Sequence, residues 1–174
     1  MKKEKFSVRT LVITALFAAL TCIATMVIQI RMSVTEGYVN IGDCFVLLGA
    51  WVLGPYFGAF AGGVGSALAD LLSGYMHYVP GTFVIKALMA IIAAVLYRQI
   101  GKKHNRLGQL ASGIAAELWM VLGYFLYAWL LLGKGLAAAT SIPGNLLQGA
   151  IGIVAAVALI AALRESKALV NVNG

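Results

Sequence analysis

The chain has 174 residues, 61% of them hydrophobic and 11% charged, with a mean hydropathy of +0.93 and a formal net charge of +7. Soluble domains are about 45–50% apolar and about 25% charged, and a soluble core of this length could not hide so much apolar surface. The composition excludes a soluble enzyme, a disordered chain and a collagen-like repeat, and leaves an integral membrane protein of one domain, residues 1–174.

A spanning helix needs about 20 mostly apolar residues at a rise of about 1.5 Å each. Residues 10–30 are uncharged between Arg9 and Arg31 and predict the first span. Lys2, Lys3 and Lys5 precede it as in a signal peptide, but the apolar run is too long for a signal core and further spans follow. Residues 44–69 are also uncharged but contain Gly54-Pro55. Proline removes a helix donor and clashes with the preceding turn, which divides this stretch into spans at 41–53 and 56–74. The remaining spans are expected at 82–97, 109–132 and 140–163. The second and fourth are short for a perpendicular crossing and would thin the bilayer locally.

Charge tests this division. With six spans and both termini cytoplasmic, Lys2, Lys3, Lys5, Arg9, Arg98, Lys102, Lys103, Arg106, Arg164 and Lys167 all face inward, ten of the thirteen basic residues. Arg31 and Lys134 fall outside and Lys86 lies within a span. Five spans would turn the basic run from Arg98 to Arg106 outward, against the positive-inside bias. The expected fold is thus an all-α membrane bundle of six transmembrane helices. The net charge fits contact with anionic lipid and gives no ground for a nucleic-acid partner.

Charges inside a bilayer are costly unless paired or wet, so each is a functional candidate. Counting about 1.5 Å per residue from the outer helix ends, Asp70 and Asn145 lie about 6 Å deep, Lys86 about 8 Å and Gln148 about 10 Å. Tyr124 and Tyr127 fall in the same layer, while Asp43 and His77 sit near the outer rim. A polar layer open to the outside and floored by apolar residues describes a pocket for a small polar ligand. The alternative is a buried Asp70–Lys86 ion pair that fixes packing. The loop over this layer, with Thr35, Glu36, Tyr38 and Asn40, reads as a lid or as a solvated connection. Tyr75, Tyr78 and Trp129 read first as an aromatic belt. Glu117 lies deeper, too far from Lys86 to pair with it by this count. Small residues recur at Gly54, Gly58, Gly62, Ser66, Asp70 and Gly74, and again at Ala15 and Ala19, and such stripes let helices approach closely.

Several chemistries have no motif here. There is no GxxxxGK[ST], HExxH or GxSxG, and only His77 and His104 are histidines. Cys22 and Cys44 form no CxxC and no disulfide framework. No cofactor and no metal site is expected, and the chain reads as a non-enzyme. A stand-alone small-solute channel or carrier, and a structural membrane protein that organises partner helices, are the other classes left open.

Four stretches in order carry a resemblance: Gly37-Tyr38-Val39-Asn40-Ile41-Gly42-Asp43, Leu53-Gly54-Pro55-Tyr56-Phe57-Gly58, Ala69-Asp70-Leu71-Leu72-Ser73-Gly74-Tyr75 and Thr82-Phe83-Val84-Ile85-Lys86. With the Ala15-xxx-Ala19 face and six-helix length, the chain resembles the substrate-binding S component of an energy-coupling factor (ECF) transporter. The resemblance implies capture of a water-soluble vitamin or precursor at the outer face of a bacterial-type cytoplasmic membrane. It also implies docking through Ala15 and Ala19 on a membrane T component bound to two ATPase subunits, toppling of the S component to release ligand inside, and ATP-driven resetting. It singles out Lys86 and Asn145 as substrate-binding, then Tyr38, Asp70, Tyr124 and Gln148. The stretch from Gly37 to Tyr75 resembles members of the hydroxymethylpyrimidine or pyridoxine type, with thiamine, riboflavin, folate, niacin and pantothenate left open.

Overall fold

The computed structural model describes residues 7–101 and 105–165. Lys2, Lys3, Lys5, Lys102, Lys103, His104 and Lys167 lie outside the described residues, so the charge pattern is seen only through Arg9, Arg98, Arg106 and Arg164.

Helix α1 (Val8–Val27) starts at Ser7, whose hydroxyl accepts from the Thr10 amide at 3.1 Å and so satisfies one orphan donor of the first turn. It stops before residue 30, where a span end was expected, because Ile28 is extended and leads into strand β1 (Gln29–Met32). Strand β1 pairs antiparallel with β2 (Gly37–Asn40), with Arg31 opposite Tyr38 and Met32 opposite Gly37. The expected lid loop is therefore a short β-hairpin on an otherwise helical bundle. Two strands alone are marginal in water. This pair is pinned to the bundle by Gln29 donating to Ser73 at 3.0 Å and Tyr78 donating to the Thr35 carbonyl at 2.7 Å.

Helix α2 (Asp43–Leu53) ends at Gly54, whose φ of 85° suits glycine, and α3 (Pro55–Leu72) begins at once with proline in its first turn. The break at Gly54-Pro55 is thus real. Helix α2 is short, as expected, yet nine of its eleven residues are buried and it packs against α1, α3, α4 and α6. It occupies the centre of the bundle, so its length imposes no thinning on surrounding lipid.

Helix α4 (Val79–Ile100) has 22 residues and corrects the expectation of a short fourth span. Pro80 sits in its first turn, where a missing N–H costs nothing and the fixed φ favours helix. Helix α5 (Asn105–Leu126) widens into a π-helical turn at Tyr127–Leu131, and a 3₁₀ segment, Gly135–Ser141, leads into α6 (Ile142–Glu165).

Packing relies on small residues. At Gly65 of α3 an added Cβ would lie 2.4 Å from the Ala18 carbonyl oxygen of α1, so only glycine lets these helices meet. Alanines 90, 93 and 116 and methionines 89 and 120 form the fully buried seam between α4 and α5. Large apolar side chains such as Leu16, Leu130, Leu147 and Val154 cover the outside, as expected when lipid is the solvent. Among the described residues four helices are long and apolar enough to cross a membrane: Val8–Val27, Val79–Ile100, Asn105–Leu131 and Gly135–Glu165.

Candidate functional site

Helix α2 points its N-terminus at the middle of the bundle. Asp43, in its first turn, is fully buried and benefits from the positive end of the helix dipole. Lys86 of α4 donates to Asp43 Oδ1 in a buried ion pair. Gln148 of α6 donates to Asp43 Oδ2 at 2.6 Å and accepts from the Asn40 amide at 2.7 Å. One carboxylate thereby ties α2, α4, α6 and β2 together. A buried charge pair is tolerable only when its remaining lone pairs are satisfied, and here both oxygens are.

Above this network lies a cavity of about 490 Å³ including its open mouth. Its polar wall carries Tyr38, Asp70, Thr82, Lys86, Tyr124, Asn145 and Gln148. All six residues picked from the sequence as substrate-binding, Lys86, Asn145, Asp70, Tyr38, Tyr124 and Gln148, thus line one space. Tyr38 donates to Asp70 Oδ1 at 2.5 Å, and its ring centroid lies 4.6 Å from that of Tyr75. Tyr124 donates to Thr82 at 3.1 Å and offers its ring face to the Lys86 ammonium 5.5 Å away. The hairpin forms part of the wall through Met32, Thr35, Gly37, Tyr38 and Asn40. At its tip, Glu36 pairs with Lys134 at 2.7 Å. The hydrogen bond and charge of Lys134 hold the Glu36 carboxyl below the usual carboxylate range.

Three expectations change. Asp43 is not a rim residue but the partner of Lys86, and the alternative Asp70–Lys86 pair does not form. Tyr78 is buried in the cavity wall rather than part of an interfacial belt. Glu117 makes no ion pair with Lys86, yet it lies much nearer to it than the depth count placed it. It lies beside Asp43, since a Cβ at Gly152 would sit 3.0 Å from both Glu117 Oε1 and Asp43 Cβ. His77 is exposed, and its carbonyl accepts from Tyr127 at 2.7 Å. Ala15 and Ala19 are exposed on α1, away from the cavity. Among the described residues no cluster of three or more His, Cys, Asp or Glu could hold a metal ion.

The chain is 36% identical over 133 residues to an uncharacterized protein of Pyrococcus woesei, covering 76% of this chain and 86% of that protein. A solved S component of a bacterial ECF transporter shares the fold, with a TM-score of 0.67 and 18% identity over 90% of this chain and 96% of that one. Residues 5–165 match the family described as ECF-type riboflavin transporter, S component. That match corrects the expectation of a hydroxymethylpyrimidine or pyridoxine type. The protein is a membrane-embedded, multi-pass, non-catalytic subunit, and it belongs to the family of ECF-type riboflavin transporter S components.

Proposed function

We propose that the protein captures a flat heteroaromatic vitamin, riboflavin first among the candidates, in the cavity beneath the β-hairpin and hands it inward as part of an ECF transporter. The observation that carries this reading is the convergence of polar side chains from separate helices on one cavity walled in part by the β-hairpin. Tyrosine faces suit a stacked ring, while Asn145, Thr82 and the Asp70 carboxylate suit its polar edge. In this reading the hairpin end is extracellular, the chain is a single domain crossing six times, and both termini are cytoplasmic. A T component docks at Ala15 and Ala19, and two ATPase subunits supply the energy.

Purified protein titrated with riboflavin, followed by quenching of flavin fluorescence, tests the proposal. Tight binding without ATP is expected. Asn145→Ala should weaken it about tenfold, the worth of one hydrogen bond to a buried polar group, with thermal stability retained. Unchanged affinity removes Asn145 from the site. Flux through the lone protein in liposomes, rather than simple binding, would indicate a stand-alone carrier.

A further inference from the structure

The ion pair of Asp43 and Lys86 has a third neighbour. Glu117 of α5 is 4% exposed, and among the described residues no donor reaches either of its carboxyl oxygens. The side chain set against that carboxyl is Asp43 of α2, placed for a hydrogen bond to it. Helix α6 closes another side. A Cβ at Gly149 would lie 3.1 Å from Glu117 Oε2 and one at Gly152 3.0 Å from Oε1, so glycine at both positions lets the α6 backbone come up to the carboxyl. Glu117 does not line the cavity.

The titratable groups around it are few. Asp43 and the Cys44 thiol face it from α2 and Lys86 from α4, while α6 presents the two glycines. With both acids ionised the cluster would hold two negative charges to one positive, away from water, and two carboxylates sharing such a site cannot both ionise. Contact between two carboxyl groups is attractive only when one of them brings a hydrogen atom. The Asp43 oxygens already accept from Lys86 and Gln148, which stabilises the ionised form of Asp43. The hydrogen then belongs on Glu117, whose own oxygens receive nothing. An ionised Asp43 can still take a third donor, since a carboxylate offers about four acceptor sites.

We propose that Glu117 is a buried proton site: it carries a proton in the folded protein and donates it to Asp43, which leaves the cluster electrically neutral. This goes beyond solute capture and depends on no particular solute. It bears on the cavity all the same, since Lys86 and Gln148 are at once partners of Asp43 and parts of the cavity wall. Loss of the proton would set a second carboxylate in competition for Lys86.

The test is infrared spectroscopy of the purified full-length protein, with glutamate labelled by carbon-13 at its side-chain carboxyl. At neutral pH the C=O stretch of a protonated carboxylic acid should be present, shift with the label and vanish in Glu117→Gln, while Asp70→Asn leaves it in place. Glu36 and Glu165 are exposed and give carboxylate bands instead. Glu117→Gln is nearly isosteric, and its amide can donate to Asp43 as the acid does, so the variant should fold. Thermal unfolding in detergent gives a second readout. The unfolded chain releases a proton that the folded one keeps, so the folded-to-unfolded ratio of the wild type should fall relative to that of Glu117→Gln by up to about tenfold per unit as pH rises above the ordinary carboxyl range. A wild-type spectrum without a protonated glutamate at neutral pH overturns the proposal, as does a labelled band that persists in Glu117→Gln or a stability difference that ignores pH. A band abolished by sodium chloride but not by choline chloride would give the site to a metal cation and overturns it too.

Discussion

At Lys86 a full ammonium group is held inside the bundle, and Asp43 makes that tolerable. Lys86→Met should be strongly destabilising, by about 3–5 kcal/mol, because it leaves the Asp43 carboxylate without a cation, beside Glu117 and with Gln148 as a remaining side-chain donor. Adding Asp43→Asn to the same protein should recover much of the loss. Thermal unfolding in detergent measures both, and a double variant no more stable than the single would argue that the pair is not the cause. The pair was not legible in the sequence. Depth counting assumed that residues 31–42 stay outside, which leaves Asp43 at the rim. The hairpin instead folds back onto the bundle and returns the chain below its mouth, so α2 begins at the level of Lys86. Counting served better for Asp70, Lys86, Asn145 and Gln148, since each lies on a long helix whose rise per residue is fixed.

The hairpin is the element that the sequence concealed most fully. Its strands have four residues each, too few for alternation to stand out in an apolar chain. The span expected at 82–97 leaves out Val79-Pro80-Gly81, which forms the first turn of α4, where proline starts helices as readily as it ends them. The Gly54-Pro55 break was legible because both residues interrupt a long apolar run, where no helix continues without a kink. The clasp between Glu36 and Lys134 gives the hairpin a pH dependence. The folded carboxyl titrates below its ordinary value of 4.5, so the clasp is present above that value and is lost as pH falls through the lower folded one. Spin labels on the hairpin tip and on the segment after Leu131 should give a narrow distance distribution at neutral pH and a broad one in acid. Glu36→Gln should be broad at both. A distribution that ignores pH would show that the clasp does not hold the hairpin.

The whole molecule separates two tasks in space. Polar side chains gather at the hairpin end, while Arg98 and Arg164 line a depression with Trp51 and Gly54 at the other end of α2. Ala15 and Ala19 lie on the outside of α1, remote from both. Replacing both by Trp should leave vitamin binding intact yet block assembly with the T component and uptake into cells, because bulky side chains prevent close helix approach. Co-purification with the T component and vitamin uptake report the two effects, and normal uptake would remove this face from docking. The membrane character and order of helices were legible from composition and charge. Which helix stood in the middle was not, since burial by protein and immersion in lipid demand the same apolar side chains.

That central position of α2 has a mechanical corollary. A segment of eleven residues is about 16 Å long, half the depth of the hydrocarbon layer, and as an outer stave it would pucker the bilayer around it. Sheathed by longer neighbours, it acts as an axle. The outer helices can lean to suit a thicker or thinner bilayer while the carboxylate at its tip keeps its two tethers, Lys86 and Gln148.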